Sequence, residues 1–167
     1  MKTGVIVQTR VGSTRVPGKV MLDLCGKPVI GHVIDRLKQS RVLDEIIIVT
    51  TTHERDAIIV EQAKKNEVKW FCGSEEDVLS RYYCAAKENS LDVVVRATSD
   101  CPLIDPTILD DVVDFYMRNN YKLVTNAGTD LNQRTFPRGL DVEVFSFSAL
   151  EYAFNNAQKS YQREHVT

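Results

Sequence analysis

Residues 10–19 read Arg-Val-Gly-Ser-Thr-Arg-Val-Pro-Gly-Lys, a run holding three cations, two glycines and two hydroxyls. No acid occurs anywhere between Met1 and Leu22, although the whole chain has a net charge of -2. Such a loop suits a polyanion. Gly12 lets backbone N–H groups come close to a phosphate, and Arg15 and Lys19 can neutralise its charge, one as a planar fork and the other as a point charge. The bland alternative is a basic surface turn. Context argues against it, because the β-branched run Gly4–Thr9 leads straight into the loop, and open α/β sheets bind ligands where their strands end. The spacing matches neither GxxxxGK[ST] nor GxGxxG, so both of those phosphate loops are excluded.

A second group with chemistry to offer is Asp100, in Ala97-Thr98-Ser99-Asp100-Cys101-Pro102 after the apolar strand pattern Asp92–Arg96. A carboxylate at a strand end can hold Mg²⁺ alongside phosphate oxygens and water; it can equally start an Asx turn. Arg96 and Thr98 flank the strand end, and Arg96 has Asp100 as an available partner. Asp141 and Glu143 alternate along Pro137–Phe145 and so share a face; in a cleft they would meet sugar hydroxyls, with Arg138 beside them for a carboxylate. Ser74 reads as a helix N-cap followed by first-turn acids. Asp105, before Pro106, reads as another cap. Asp110, Asp111 and Asp114 read as a solvated helix face. Lys27 has both a structural and a phosphate-side reading. The three histidines, His32, His53 and His165, lack metal-ligand spacing, and no nucleophile–histidine pattern is present.

The elements that must position these groups alternate. Strand-like runs at Gly4–Thr9, Glu45–Thr51, Val68–Phe71, Asp92–Arg96, Leu123–Thr125 and Leu140–Phe145 are separated by helical patterns. Val29, Ile30, Val33, Ile34 and Leu37 fall on one helical face, as do Val78, Leu79, Tyr82, Ala85 and Ala86, and Leu109, Val112, Val113, Tyr116 and Met117. A final helix is expected to be capped by Ser148. Repeated strand–helix alternation predicts an α/β fold with a mostly parallel sheet covered on both faces. The continuous runs Ile46–Val49 and Val93–Val95 predict strands buried on both sides. Residues 126–138 show no periodicity and read as one long loop.

Here the sequence resembles the sugar nucleotidyltransferases, and most of all the cytidylyltransferases of the acylneuraminate, ketodeoxyoctulosonate and spore-coat polysaccharide type. The likeness is carried by R-V-G-S-T-R-V-P-G-K-V-M-L-D-L-C-G-K-P-V-I, G-S-E-E-D-V-L-S-R-Y, R-A-T-S-D-C-P-L-I-D-P, P-R-G-L-D-V-E-V-F and R-E-H-V-T. It implies a three-layer α/β/α, Rossmann-like nucleotide-diphospho-sugar transferase fold. It implies that Arg10, Gly12, Ser13, Arg15 and Lys19 bind the triphosphate of CTP and that Asp100 coordinates Mg²⁺, with Arg15, Lys19 and Asp100 as the catalytic groups. Ser74 and Thr98 are then nucleotide contacts, Asp77 and Arg81 weaker ones, and Arg138, Asp141 and Glu143 contacts to a sugar. The implied reaction moves CMP from CTP to an acidic or amino sugar for surface polysaccharide. Relatives run on past R-E-H-V-T to a second metal-binding aspartate and a segment that helps form a dimer. By that comparison residues 1–167 are a single nucleotidyltransferase domain expected to lack its C-terminal part, to bind nucleotide better than it turns it over, and to have a homodimer as its possible assembly. A nucleotide-sugar-dependent glycosyltransferase and an inactive nucleotide-binding module are the alternatives; the first usually carries Asp-x-Asp where this chain has Ser99-Asp100-Cys101.

The bulk properties agree with this reading. The chain has 167 residues, 43% hydrophobic and 26% charged, which suits one domain with a real core. Nothing in its net charge calls for a nucleic-acid or membrane partner. Four cysteines without CxxC spacing, and no signal-peptide or membrane-helix pattern, lead to the expectation of a cytoplasmic protein with reduced, mostly buried thiols.

Overall fold

The computed structural model describes residues 1–12, 16–128 and 134–167. Its strands are β1 (Thr3–Gln8), β2 (Asp23–Leu24), β3 (Lys27–Pro28), β4 (Glu45–Thr51), β5 (Lys69–Gly73), β6 (Val93–Thr98), β7 (Leu123–Thr125) and β8 (Glu143–Ser146). Its helices are α1 (Val29–Leu37), α2 (Ala57–Lys65), α3 (Val78–Glu88), α4 (Pro106–Arg118), α5 (Phe147–Asn156) and α6 (Ser160–Glu164). Six strands form the main sheet in the order β5-β4-β1-β6-β8-β7. The first four run parallel, and β8 is antiparallel to both β6 and β7. The sheet is thus mostly parallel, with a reversed strand near one edge.

The apolar periodicities decide which face each helix covers. Ile30, Val33, Ile34 and Leu37 of α1, Ile59 and Ala63 of α2, and Leu109, Val112 and Val113 of α4 bury against one side of the sheet. On the other side lie Val78, Leu79, Tyr82, Ala85 and Ala86 of α3, Leu150 of α5, and Val166. Val93, Val94 and Val95 are at most 2% exposed, as strands covered on both faces require. Asp105 caps α4, accepting from the Thr107 and Ile108 N–H groups at 2.8 and 3.2 Å.

Several local expectations change. Helix α3 is capped at Asp77, whose side chain accepts from Ser80 N–H at 2.9 Å, one turn beyond Ser74. Helix α5 is capped by Ser146 and not Ser148, with Ser146 Oγ accepting from Ala149 N–H at 3.1 Å, so the helix begins directly where β8 ends. Asp110 is 3% exposed; it faces inward to accept from Ser40 Oγ at 2.5 Å and from Arg41 N–H at 3.1 Å. All four cysteines are free, but Cys25 and Cys72 are exposed and Cys84 and Cys101 half-buried, so the thiols are less buried than expected. The β2–β3 hairpin and α6 are short elements without a periodic signal. The hairpin turns on Cys25 and Gly26, both at positive φ (53° and 84°), the pair of values a tight primed turn needs. No described helix is long and apolar enough to cross a membrane.

Tyr82 lies at the centre of the second core, fully buried, its hydroxyl donating to the Ile6 carbonyl at 3.3 Å. Burial pushes its pKa up to about 12. A raised value means the neutral phenol is favoured by folding, so the contribution is intact below pH ~10 and lost as pH climbs through the folded value. We expect the alkaline loss of stability, measured by urea unfolding, to shrink by up to about 2–3 kcal/mol in Tyr82→Phe. Equal alkaline losses in both proteins would contradict this.

Candidate functional site

The carboxyl ends of β1, β4, β5 and β6 come together at one sheet edge: Gln8 pairs with Val49 and with Thr98, and Thr51 with Gly73. The basic loop leaves β1 there. Its entry is tied down by Thr9 N–H to the Val49 carbonyl (2.9 Å) and by Val11 N–H to Asp56 Oδ1 (2.8 Å). Its exit is closed by Gly18 N–H to the Val11 carbonyl at 3.0 Å, and a short 3-10 turn, Lys19–Met21, follows. Val20 in that turn is buried in the first core, which fixes the base from which Lys19 projects.

Lys19 Nζ donates to Asp100 Oδ2 across the edge. Two residues singled out from sequence, 81 positions apart, therefore meet. Burial by itself would raise the Asp100 pKa, but the Lys19 ammonium and the Thr98 hydroxyl outweigh it and hold the carboxyl below its ordinary value. The acid is thus a carboxylate at neutral pH. Thr98 also lies 3.1 Å from Cys101 Sγ, so its hydroxyl is shared between the turn and Asp100. Among the described residues no three His, Cys, Asp or Glu side chains converge as a metal cage. Asp100 is the carboxylate that Lys19 of the loop meets.

Ser13 and Arg15 lie outside the described residues. Arg10 is exposed and pairs with Glu75 at 3.6 Å. A Cβ at Gly12 would lie 2.8 Å from Arg55 Nη2 and 2.9 Å from its Cζ. Glu75 also accepts from Arg55 Nη2 at 2.5 Å and meets His53 Nε2 at 2.7 Å. The carboxylate of Asp56, 1% exposed, accepts from both Val11 N–H and Thr51 Oγ1. His53, Arg55, Asp56 and Glu75 were not anticipated. The available signal was position, since Thr51–Asp56 follows a parallel strand at its ligand-binding end.

The Gly73–Leu79 segment is built differently from the expectation. Ser74 Oγ accepts from Asp77 N–H at 3.2 Å. Arg81 is 1% exposed; its Nη1 donates to the Ser74 carbonyl and, at 3.2 Å, to that of Glu75. Burial pushes its pKa down from the ordinary arginine value. Asp77 receives Arg163 Nε at 2.7 Å, and Arg163 Nη1 reaches the Phe154 and Ala157 carbonyls at the end of α5. Arg81 and Asp77 thus hold the segment and α6 in place. A polar cleft of about 440 Å³ opens beside Arg10, walled by Gln8, Glu75, Glu76, Ser160 and Glu164.

The sugar-side expectations part company. Arg96 pairs with Glu143 at 2.7 Å, its register partner on β8, and not with Asp100; Glu143 also accepts from Thr167 Oγ1. Asp141 is bound by Arg134. Asn126 extends the β7–β8 pairing, donating to the Leu140 carbonyl and accepting from Val142 N–H, both at 2.8 Å. Arg138 is exposed, with no ion-pair partner among the described residues. Lys27 pairs with Asp35.

Known proteins resemble this chain in sequence or in structure. An uncharacterised protein of Methanocaldococcus jannaschii is 43% identical over 167 residues, and the chain spans 66% of its length. A spore coat polysaccharide biosynthesis protein of Bacillus subtilis is 30% identical over 166 residues, covering 96% of this chain and 69% of that protein. The structure of a cytidylyltransferase from Leptospira borgpetersenii superposes with a TM-score of 0.92 at 41% identity, over 99% of this chain and 69% of that one. A CMP:2-keto-3-deoxy-manno-octonic acid synthetase solved with CTP shares the fold at 18% identity and a TM-score of 0.73, over 98% and 82% of the two chains. A family model described as cytidylyltransferase matches residues 4–167, and the chain belongs to that family.

Proposed function

We propose that this chain is the nucleotide-binding body of an enzyme that transfers CMP from CTP to a hydroxyl of an acidic or amino sugar, releasing pyrophosphate, for surface polysaccharide. The observation that carries the reading is the Lys19–Asp100 pair at the carboxyl edge, where the last cation of a basic loop meets a carboxylate from the end of β6. A triphosphate entering there would take Lys19 from Asp100, exchanging one anionic partner for another. Lys19 and Arg15 would then neutralise charge that builds on the leaving pyrophosphate.

The donor set suits Mg²⁺ carried in with the nucleotide, since one carboxylate with phosphate oxygens and water is a usual arrangement for that ion. Asp100 would hold it, and when bound the cation supplies charge neutralisation at the α-phosphate. The cleft beside Arg10 would take the nucleoside. Its carboxylates at Glu75, Glu76 and Glu164 suit the exocyclic amino group of cytosine, a hydrogen-bond donor, and oppose the O4 acceptor of uracil. Of the earlier sugar contacts, Arg138 is kept as the group free to meet a sugar carboxylate; Asp141 and Glu143 would have to leave their arginines to take part.

Pyrophosphate release from CTP, measured across a panel of keto-sugar acids and amino sugars, tests the reaction. Release that depends on one of those sugars and on CTP supports it. No pyrophosphate from CTP, with sugar transferred from a nucleotide sugar and its nucleoside mono- or diphosphate set free, would favour the glycosyltransferase reading. No release with any sugar, while CTP still binds, would leave a binding module.

A further inference from the structure

We infer that Arg55 is a phosphate-contacting residue of the nucleotide site, forming with Arg10 an anion seat over Gly12 for which Glu75 is the internal counter-ion. This rests on the CTP-binding reading above and adds to it a residue from a different part of the chain. Arg55 follows β4, and its neighbour Asp56 bonds directly to Val11 N–H at 2.8 Å. The backbone that carries Arg55 is therefore fixed against the loop. The guanidinium lies where a side chain at position 12 would stand, with Nη2 at 2.8 Å and Nε at 3.2 Å from a Cβ built there. Glycine at this position admits the guanidinium.

The charges around Glu75 do not balance. Its single carboxylate serves Arg10 at 3.6 Å, Arg55 at 2.5 Å and His53 at 2.7 Å. Two permanent cations share one anion, and their side chains are 43% and 49% exposed. Each guanidinium has five N–H donors in a fixed fork, more than one shared carboxylate can engage. Exposed ion pairs of this kind are weak, whereas guanidinium–phosphate pairing is bidentate and strong. A nucleotide phosphate can therefore add to the pair or displace Glu75 from it. Glu76 and Glu164 also line the cleft and disfavour a phosphate within it, which leaves the Gly12 side of the guanidinium as the seat.

The test is calorimetric titration of the wild-type chain, Arg55→Ala and Arg55→Lys with CTP, pyrophosphate and cytidine, with melting temperatures as a check on folding. Arg55→Ala is expected to weaken CTP and pyrophosphate by roughly tenfold or more, with cytidine unchanged and the melting temperature retained. Arg55→Lys should fall between, because the charge remains and the fork is lost. Gly12→Ala, which pushes the guanidinium aside, should likewise weaken CTP and pyrophosphate while leaving cytidine unchanged. Undiminished CTP affinity in Arg55→Ala, or equal losses for CTP and cytidine, overturns the assignment while the nucleotide reading stands. A wild-type chain that binds neither CTP nor pyrophosphate overturns that reading and this inference together.

Discussion

Asp100→Asn is expected to lower CTP-dependent pyrophosphate release on the order of 100-fold or more. The substitution keeps shape and removes one charge at the point where β6 ends opposite Lys19. That carboxylate is held ionised by the Lys19 ammonium and the Thr98 hydroxyl against the effect of burial, so at neutral pH the charge removed is a full one. Binding gives an independent reading. Without Mg²⁺, CTP should bind Asp100→Asn as well as wild type or better, because a negative charge near the triphosphate is gone and Lys19 is released. With Mg²⁺ present, the gain in CTP affinity that the cation gives wild type should disappear. Turnover at the wild-type rate, or an undiminished Mg²⁺-dependent gain, would sink the assignment of Asp100 as the metal-holding carboxylate.

The largest expected loss of stability is at Asp56. This buried carboxylate joins three segments: Val11 N–H at the mouth of the loop, Thr51 Oγ1 at the end of β4, and the start of α2. Asp56→Ala leaves a half-buried amide and a buried hydroxyl without their acceptor, at up to about 1–3 kcal/mol for each unsatisfied group. For a domain of this size the total corresponds to a fall in melting temperature of roughly 5–15 °C. Asp56→Asn keeps one oxygen for Val11 and should recover much of that. The anchor also sets the loop, so Asp56→Ala is expected to weaken CTP binding at temperatures where the variant is fully folded. A melting temperature within error of wild type would contradict the role given to this group.

These residues show what a sequence reveals and what it hides. The sheet was legible because its signal is local: Ile46–Val49 and Val93–Val95 are continuous apolar runs, and Ile47–Val49 and Val93–Val95 proved buried on two faces, with Ile46 half-buried. Lys19 and Asp100 were legible because each belongs to a motif at a strand end, and the parallel topology sends both to the same edge. Glu75 and Asp56 were not. Each sits in a polar stretch that reads equally well as a helix start, and only the packing of β4 and β5 beside β1 turns them toward the loop. Asp110 failed for the reverse reason: its spacing along α4 fits a solvated face, but the turn after α1 brings Ser40 and Arg41 to cover it. Arg96 and Glu143 are paired by antiparallel register, which depends on a strand reversal that no local pattern announces. Gly12 was identified as a place of close approach, and the approaching group in the structure is a guanidinium.

The most direct test of the central claim, that the Arg10–Lys19 loop and Asp100 form a CTP site, is the melting temperature of this chain with Mg²⁺ and CTP, ATP or GTP in turn. At a hundredfold excess over its Kd a ligand stabilises by about 2.7 kcal/mol, a rise of roughly 5–10 °C for a chain of this size. The account predicts that rise with CTP and a smaller one with ATP or GTP at equal concentration. A melting temperature indifferent to all three nucleotides would contradict it.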